Sequence, residues 1–167
     1  MASYDVVVIG AGGAARSVIY TLIRNYKVNS INLINRTEQK AESLKEYFNA
    51  KMHFEKFRTF ELVPPDLVEV FKSSKLIINT TSIGMTPEED DSATTIAESF
   101  VKGQLVFDAV YNPLKTSFLK LAKEQGATTI NGLKMFVGQG ARSFELWTGE
   151  KMPSDKIYKT LHSYLDS

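Results

Sequence analysis

Three glycines in four positions, Gly10, Gly12 and Gly13, stand directly behind the β-branched run Val6-Val7-Val8-Ile9. Directly after them Ala15, Val18, Ile19, Leu22, Ile23 and Tyr26 recur with the spacing of a helix face. The order is therefore strand, tight turn, helix. Glycines cost backbone entropy that a plain chain reversal does not require, so their density asks for a second reason. Gly10-x-Gly12-x-x-Ala15 has the spacing of the dinucleotide fingerprint, and its position between a strand and a helix is the context that gives the pattern meaning. Gly10 permits the turn, Gly12 lets a pyrophosphate approach the backbone, and Ala15 keeps the helix close to the strand. The helix N-terminus then points its unpaired N–H groups at the phosphates.

The rest of the chain repeats the alternation. Ile31 to Asn35 reads as a second strand, and Thr37 stands as the N-cap of a helix carrying Ala41, Leu44 and Phe48. Met52, Phe54 and Phe57 suggest a third strand with His53 on it, and Leu67 to Phe71 a short helix started by Asp66. Strands follow at Leu76 to Asn79, Leu105 to Val110 and Ala127 to Asn131, with a helix from Ser117 to Gln125 closed by Gly126. Gly132 opens a long apolar helix through Trp147 that Gly149 stops, and Ser154 caps a last helix with Ile157, Tyr158, Leu161 and Leu165 on one side. Strands separated by helices imply right-handed parallel crossovers. The expected fold is α/β: a Rossmann-type, doubly wound, mostly parallel six-stranded sheet with helices on both faces and ligands at the strands' carboxyl ends. At 167 residues the chain fits one domain, 1–167, with 131–167 as closing helices.

Composition narrows the partners. Twenty Lys and Arg against 19 Asp and Glu give a net charge of +1, without the clustered excess that nucleic acid or an anionic membrane selects. No apolar run approaches the roughly 20 residues of a membrane span. With no cysteine there is no disulfide or thiol nucleophile, and the expected compartment is the reducing cytoplasm. No metal site is expected. The acidic run Glu88-Glu89-Asp90-Asp91 reads as a solvated loop, and His53 and His162 read as structural.

At the end of the second strand an NAD-binding domain places Asp or Glu on the ribose 2′-hydroxyl. This chain has Asn35-Arg36-Thr37 there, with Lys40 one helical turn on. A carboxylate would repel a 2′-phosphate, whereas Arg36 can pair with it, Thr37 can donate a hydroxyl and Lys40 adds charge. NADP is expected over NAD.

Five segments, in order and across nearly the whole chain, resemble the cofactor-binding half of the shikimate dehydrogenase family. They are Gly10-Ala11-Gly12-Gly13-Ala14-Ala15-Arg16, Asn35-Arg36-Thr37 with Lys40, Asn79-Thr80-Thr81-Ser82-Ile83-Gly84-Met85, Asp108-Ala109-Val110-Tyr111-Asn112-Pro113, and Asn131-Gly132-Leu133-Lys134-Met135 through Gln139. The resemblance implies reversible reduction of 3-dehydroshikimate to shikimate with NADPH, in aromatic amino acid biosynthesis. It places cofactor contacts, besides Gly10 of the fingerprint, on Ala11, Gly12, Gly13 and Ala14, and on Asn35, Arg36, Thr37 and Lys40. Further cofactor contacts fall on Thr81, Ser82, Val110, Gly132 and Met135, and substrate contacts on Tyr111 and Gln139. Read without the resemblance, Tyr111 packs beside Pro113 and Gln139 is a single polar position on an apolar helix.

The family also has a preceding substrate domain supplying a lysine and aspartate pair for proton transfer, and nothing here matches it. The expectation is a cofactor-binding domain, a fragment or an isolated unit, with no catalytic residue of its own and very slow chemistry. Residues 131–167 would then pack on that absent domain, and their apolar surface would favour a homo-oligomer in isolation. Asp108 is the best-placed carboxylate for a general base, although a charged residue ending a strand more often bonds the backbone. Two alternatives remain: a quinate or quinate/shikimate dehydrogenase, and a non-catalytic NADP-binding module.

Overall fold

The computed structural model describes residues 4–166. Its centre is β1 (Asp5–Ile9), whose Val6 to Ile9 are wholly buried. That strand pairs in parallel with β2 (Ser30–Asn35) on one side and β4 (Leu76–Asn79) on the other. A strand covered on both faces has no polar side to offer, which is why its sequence is continuously apolar rather than alternating. β3 (Phe57–Glu61) lies outside β2, while β5 (Leu105–Asp108) and β6 (Thr128–Ile130) extend the other edge, giving the order β3-β2-β1-β4-β5-β6 with every pairing parallel. The order reverses between β1 and β4, so the connections leave that point in opposite directions and open a crevice at the carboxyl edge.

Alternate residues of β1 feed two cores. Val6 and Val8 pack with Ile31, Leu33 and Ile78 under α1 (Gly13–Asn25) and α2 (Glu38–Met52) through Ile19, Leu22, Leu44 and Phe48. Val7 and Ile9 pack with Ile77 and Val106 under α3 (Pro64–Ser73) and α4 (Ser117–Glu124) through Leu67, Phe71, Phe118 and Leu119. A third, smaller cluster joins α5 (Leu133–Thr148) to α6 (Ser154–Leu165) around Leu114, Leu133 and Val137. α6 buries no residue completely, and α5 exposes Phe144, Leu146 and Trp147, the last at 84%.

Several boundaries differ from those read in the sequence. The third strand begins at Phe57 because the spacing of Ala41, Leu44 and Phe48 continues to Met52, which ends α2. His53 therefore caps the helix in the left-handed region, φ 53°, instead of lying on a strand. α3 starts at Pro64, whose fixed φ and missing N–H suit the first helical position, and Asp66 lies inside its first turn. β5 stops at Asp108 rather than Val110, since the Asp108 carboxylate accepts the Val110 N–H at 3.1 Å and turns the chain out of the ladder. β6 is confined to Thr128–Ile130, and Asn131 instead accepts the Leu133 N–H at 3.2 Å at the start of α5. Ser154 is the first residue of α6, not its cap, and its hydroxyl donates back to Met152 O. Thr37 does occupy the N-cap of α2, but its hydroxyl makes no capping bond.

The passage from β6 to α5 is tight. The Gly132 N–H donates to Val110 O at 2.9 Å, and a Cβ at Gly132 would lie 2.0 Å from Ala109 O. Its φ of −76° is open to any residue, so the requirement for glycine is steric. Gly132→Ala is expected to cost about 2–3 kcal/mol, lowering Tm by roughly 4–12 °C in a thermal melt. An unchanged midpoint would contradict the close packing.

Candidate functional site

Gly10 leaves β1 with φ 106° and donates to Ile34 O at 2.7 Å, so the turn is fixed to the end of β2. On its other side a Cβ at Gly10 would meet Thr80 Oγ1 at 2.6 Å. Both the dihedral and the contact require glycine here. Gly12 and Gly13 differ: a Cβ at either would meet no heavy atom within 4 Å. Nothing inside the protein needs that space. Gly12 is the N-cap of α1 and offers no side-chain cap, and no acidic residue lies in the first turn. The amides opening the helix thus face open space with the positive end of the helix dipole behind them. These features fit a dinucleotide pyrophosphate.

At the end of β2 the Asn35 side chain donates to Thr37 O at 2.9 Å and rigidifies the turn into α2. Arg36, Thr37 and Lys40 are exposed. Among the described residues neither Arg36 nor Lys40 has an acidic partner. Two unneutralised cations and a free hydroxyl at the edge of one turn suit a phosphate monoester.

The remaining predicted residues converge at the other side of the crevice. Ala14, Thr81, Ser82, Val110, Tyr111, Met135 and Gln139 line one cleft of about 280 Å³, just under the roughly 300–1,000 Å³ of drug-sized ligand pockets. The cleft therefore suits a ring rather than a whole dinucleotide. Gly132 does not line it and acts from behind, through Ala109 and Val110. Thr80, Met85, Ala109 and Phe136 also line the cleft; they lie in the segments quoted from the sequence but were given no contact there. Phe136 stacks on Tyr111 with ring centroids 4.1 Å apart and planes 19° from parallel, fixing the phenol's plane. An aromatic residue on an apolar helix suits a core as well as a stack, and no local signal separates the two roles. Thr80 donates to Ile9 O at 2.6 Å and ties the β4 loop to the end of β1.

Asp108 is wholly buried. Its carboxylate accepts from Thr116 Oγ1 at 2.7 Å, Asn79 Nδ2 at 3.0 Å and Val110 N at 3.1 Å. Burial pushes its carboxyl above the ordinary range, and the three hydrogen bonds offset only part of that. It does not line the cleft, so the general-base alternative has no geometric support. Among the described residues no helix is long and apolar enough to cross a membrane, and no His, Cys, Asp and Glu cluster could hold a metal ion.

Residues 1–108 match the family model described as shikimate / quinate 5-dehydrogenase, and residues 132–162 match that of the shikimate 5′-dehydrogenase C-terminal domain. A shikimate dehydrogenase (NADP(+)) of Methanococcus aeolicus is 40% identical over 161 residues, covering 93% of this chain and 53% of its own length. A crystal structure of a shikimate dehydrogenase in complex with NADP+ superposes with a TM-score of 0.82 at 36% identity, covering 99% of this chain and 56% of that one. Shikimate 5-dehydrogenase from Listeria monocytogenes, in complex with shikimate and NAD, superposes with a TM-score of 0.81 at 34% identity over 95% of this chain and 56% of that one. The chain spans about half the length of the curated relatives it matches.

A carboxyl whose pKa is raised by folding favours the folded state below the ordinary carboxylate range and loses that advantage as pH rises through the raised value. The stability of the protein relative to its Asp108→Asn variant is therefore expected to fall as pH rises from about 4, then level off once Asp108 is ionised. Urea midpoints across pH measure this; a difference that grows in the opposite direction would contradict the assignment.

Proposed function

Because the chain belongs to the shikimate / quinate 5-dehydrogenase family, we propose that it is the NADP(H)-binding part of a dehydrogenase that interconverts 3-dehydroshikimate and shikimate. The observation that carries the cofactor choice is the unneutralised Arg36 beside Thr37 and Lys40, where an NAD-selective domain would have a carboxylate. The Gly12, Gly13 and Ala14 amides would hold the pyrophosphate, and Thr81, Ser82, Val110 and Met135 would border the nicotinamide. When bound, the reduced cofactor supplies the hydride that turns a ring ketone into a secondary alcohol.

The protein's own contribution is orientation. Tyr111 and Gln139 both line the cleft, and a phenol and an amide can donate to and accept from a polyhydroxylated ring. The stack on Phe136 sets the direction of the phenol. Proton transfer is less well provided: Tyr111 is the one titratable side chain among the residues lining the cleft. In a protein of the relatives' length, the lysine and aspartate pair of a substrate domain would supply the proton, and residues 131–167 would pack on that domain. The exposed Trp147 and Leu146 support this placement. A reducing, cytoplasmic setting suits the absence of cysteine.

Arg36→Ala removes a charge-assisted phosphate contact of about 1.5–3 kcal/mol, so NADPH affinity is expected to fall roughly ten- to a hundredfold while NADH affinity stays unchanged, both read by calorimetry. Equal affinity of the parent chain for the two cofactors would refute the assignment. Without a positioned acid and base, oxidation of shikimate by this chain is expected at least about a hundredfold below that of a full-length relative. Comparable turnover in a spectrophotometric assay of NADPH formation would show that the cleft holds its own proton-transfer group.

A further inference from the structure

Asp108 lines neither the phosphate seat nor the cleft, yet hydrogen bonds run from it to the three walls of that cleft formed by the β4 loop, the β5 loop and α5. Asn79 donates its amide N–H to Asp108 Oδ1, and its own Oδ1 accepts from Thr81 N at 3.0 Å and Thr81 Oγ1 at 2.7 Å. Thr81 Oγ1 in turn accepts from Ile83 N at 3.2 Å, so the β4 loop is folded around this one amide. The second wall is tied directly, through the Val110 N–H. Val110 O then accepts the Gly132 N–H at 2.9 Å, which carries the tie to α5 and hence to Met135 and Gln139. Oδ2 holds Thr116, whose Oγ1 caps α4 by accepting from Leu119 N at 3.3 Å.

We propose that Asp108 is a positioning residue: acting through Asn79, Val110 and Thr116, it sets the spacing of the three walls that would border the nicotinamide and the substrate ring, and it touches neither ligand. Three buried donors converge on it, and an ionised carboxylate is a side chain with acceptor sites for all of them and no donor of its own. A buried carboxyl is a costly way to hold a fold together when apolar packing can serve. Its retention at the meeting point of the cleft loops is explained when the geometry of those loops is what it secures. The adenosine end is anchored elsewhere, by Gly10 N on Ile34 O and by Asn35 Nδ2 on Thr37 O. The network should therefore control one half of the dinucleotide and not the other.

This inference rests on the dinucleotide reading above, and the test separates the two. The full chain and its Asp108→Ala, Thr116→Val and Asp108→Asn variants are titrated calorimetrically with NADPH and with 2′,5′-ADP, which lacks the nicotinamide half. Asp108→Ala and Thr116→Val are expected to weaken NADPH about five- to tenfold, with 2′,5′-ADP unchanged and Asp108→Asn, which keeps one acceptor oxygen for Asn79 and Val110, weakened less. Equal losses for both ligands, or no loss for either, overturn the positioning role. Failure of the parent chain to bind either ligand overturns the dinucleotide reading, and the ligand-free amide spectrum then decides the positioning role alone. There, Thr116→Val must move the Thr81, Val110 and Gly132 amides and leave Gly12 and Thr37 in place; uniform or purely local shifts overturn it.

Discussion

The end of β1 is where the two halves of the sheet are joined. Ile9 O accepts both the N–H and the hydroxyl of Thr80, at 2.9 Å and 2.6 Å, while Gly10 N donates to Ile34 O on the opposite side. One residue beyond the most buried strand of the protein, the chain is thus bonded to the exits of both neighbouring strands. That double attachment sets where the glycine turn lies, and the turn sets where α1 begins. The open space before Gly12 and Gly13, the cationic turn after β2 and the cleft after β4 and β5 are then arranged along one carboxyl edge. A dinucleotide laid across the crevice can reach all three, with the phosphates at the strand-order reversal.

The two ends of this site are built by different physics. At Arg36 and Lys40 the groups are exposed and, among the described residues, without an acidic partner, and recognition would come from charge that water still screens. Around the cleft the groups are packed: Asp108, Asn79 and Thr116 are buried and satisfied by one another, and the Tyr111–Phe136 stack adds about 0.5–1.5 kcal/mol of preference for one ring geometry. The first kind of site selects an anion, and the second fixes distances. An oxidoreductase domain needs both, because hydride transfer is sensitive to ångström-scale placement while cofactor choice turns on a single phosphate.

Much of this was legible in the sequence where local chemistry decides the outcome. The apolar run of β1, the helical spacing behind Gly13 and the missing acid at Asn35-Arg36-Thr37 each express a local requirement, and the fold and the proposed anion seat follow from them. Tyr111 and Gln139 were named through resemblance and do lie on one cleft. What escaped was decided at a distance. The network around Asp108 joins residues 29 and 8 positions apart, and nothing near Asp108 in the sequence announces Asn79 as its partner. Phe136 escaped because stacking on Tyr111 and burial in a core ask for the same residue at the same helical spacing. Gly132, named as a cofactor contact, also fits closely under Ala109, an approach of two backbones that the sequence cannot reveal. The strand read at Met52 failed for a simpler reason: an apolar residue at the end of an amphipathic helix cannot be told from the start of a strand by hydrophobicity alone.

In the proposed complex the N-terminus of α1, the turn after β2 and the cleft beside Val110 form one continuous site for a single dinucleotide. Titrating the isotope-labelled chain with NADPH while following its backbone amides tests this directly. Concerted shifts, saturating together, are expected at Gly12, Gly13 and Ala14, at Arg36 and Thr37, and at Thr81 and Val110. Shifts confined to another surface, such as the lysine-bearing face of α4 around Lys120 and Lys123, or separate saturation of the three regions, would contradict it.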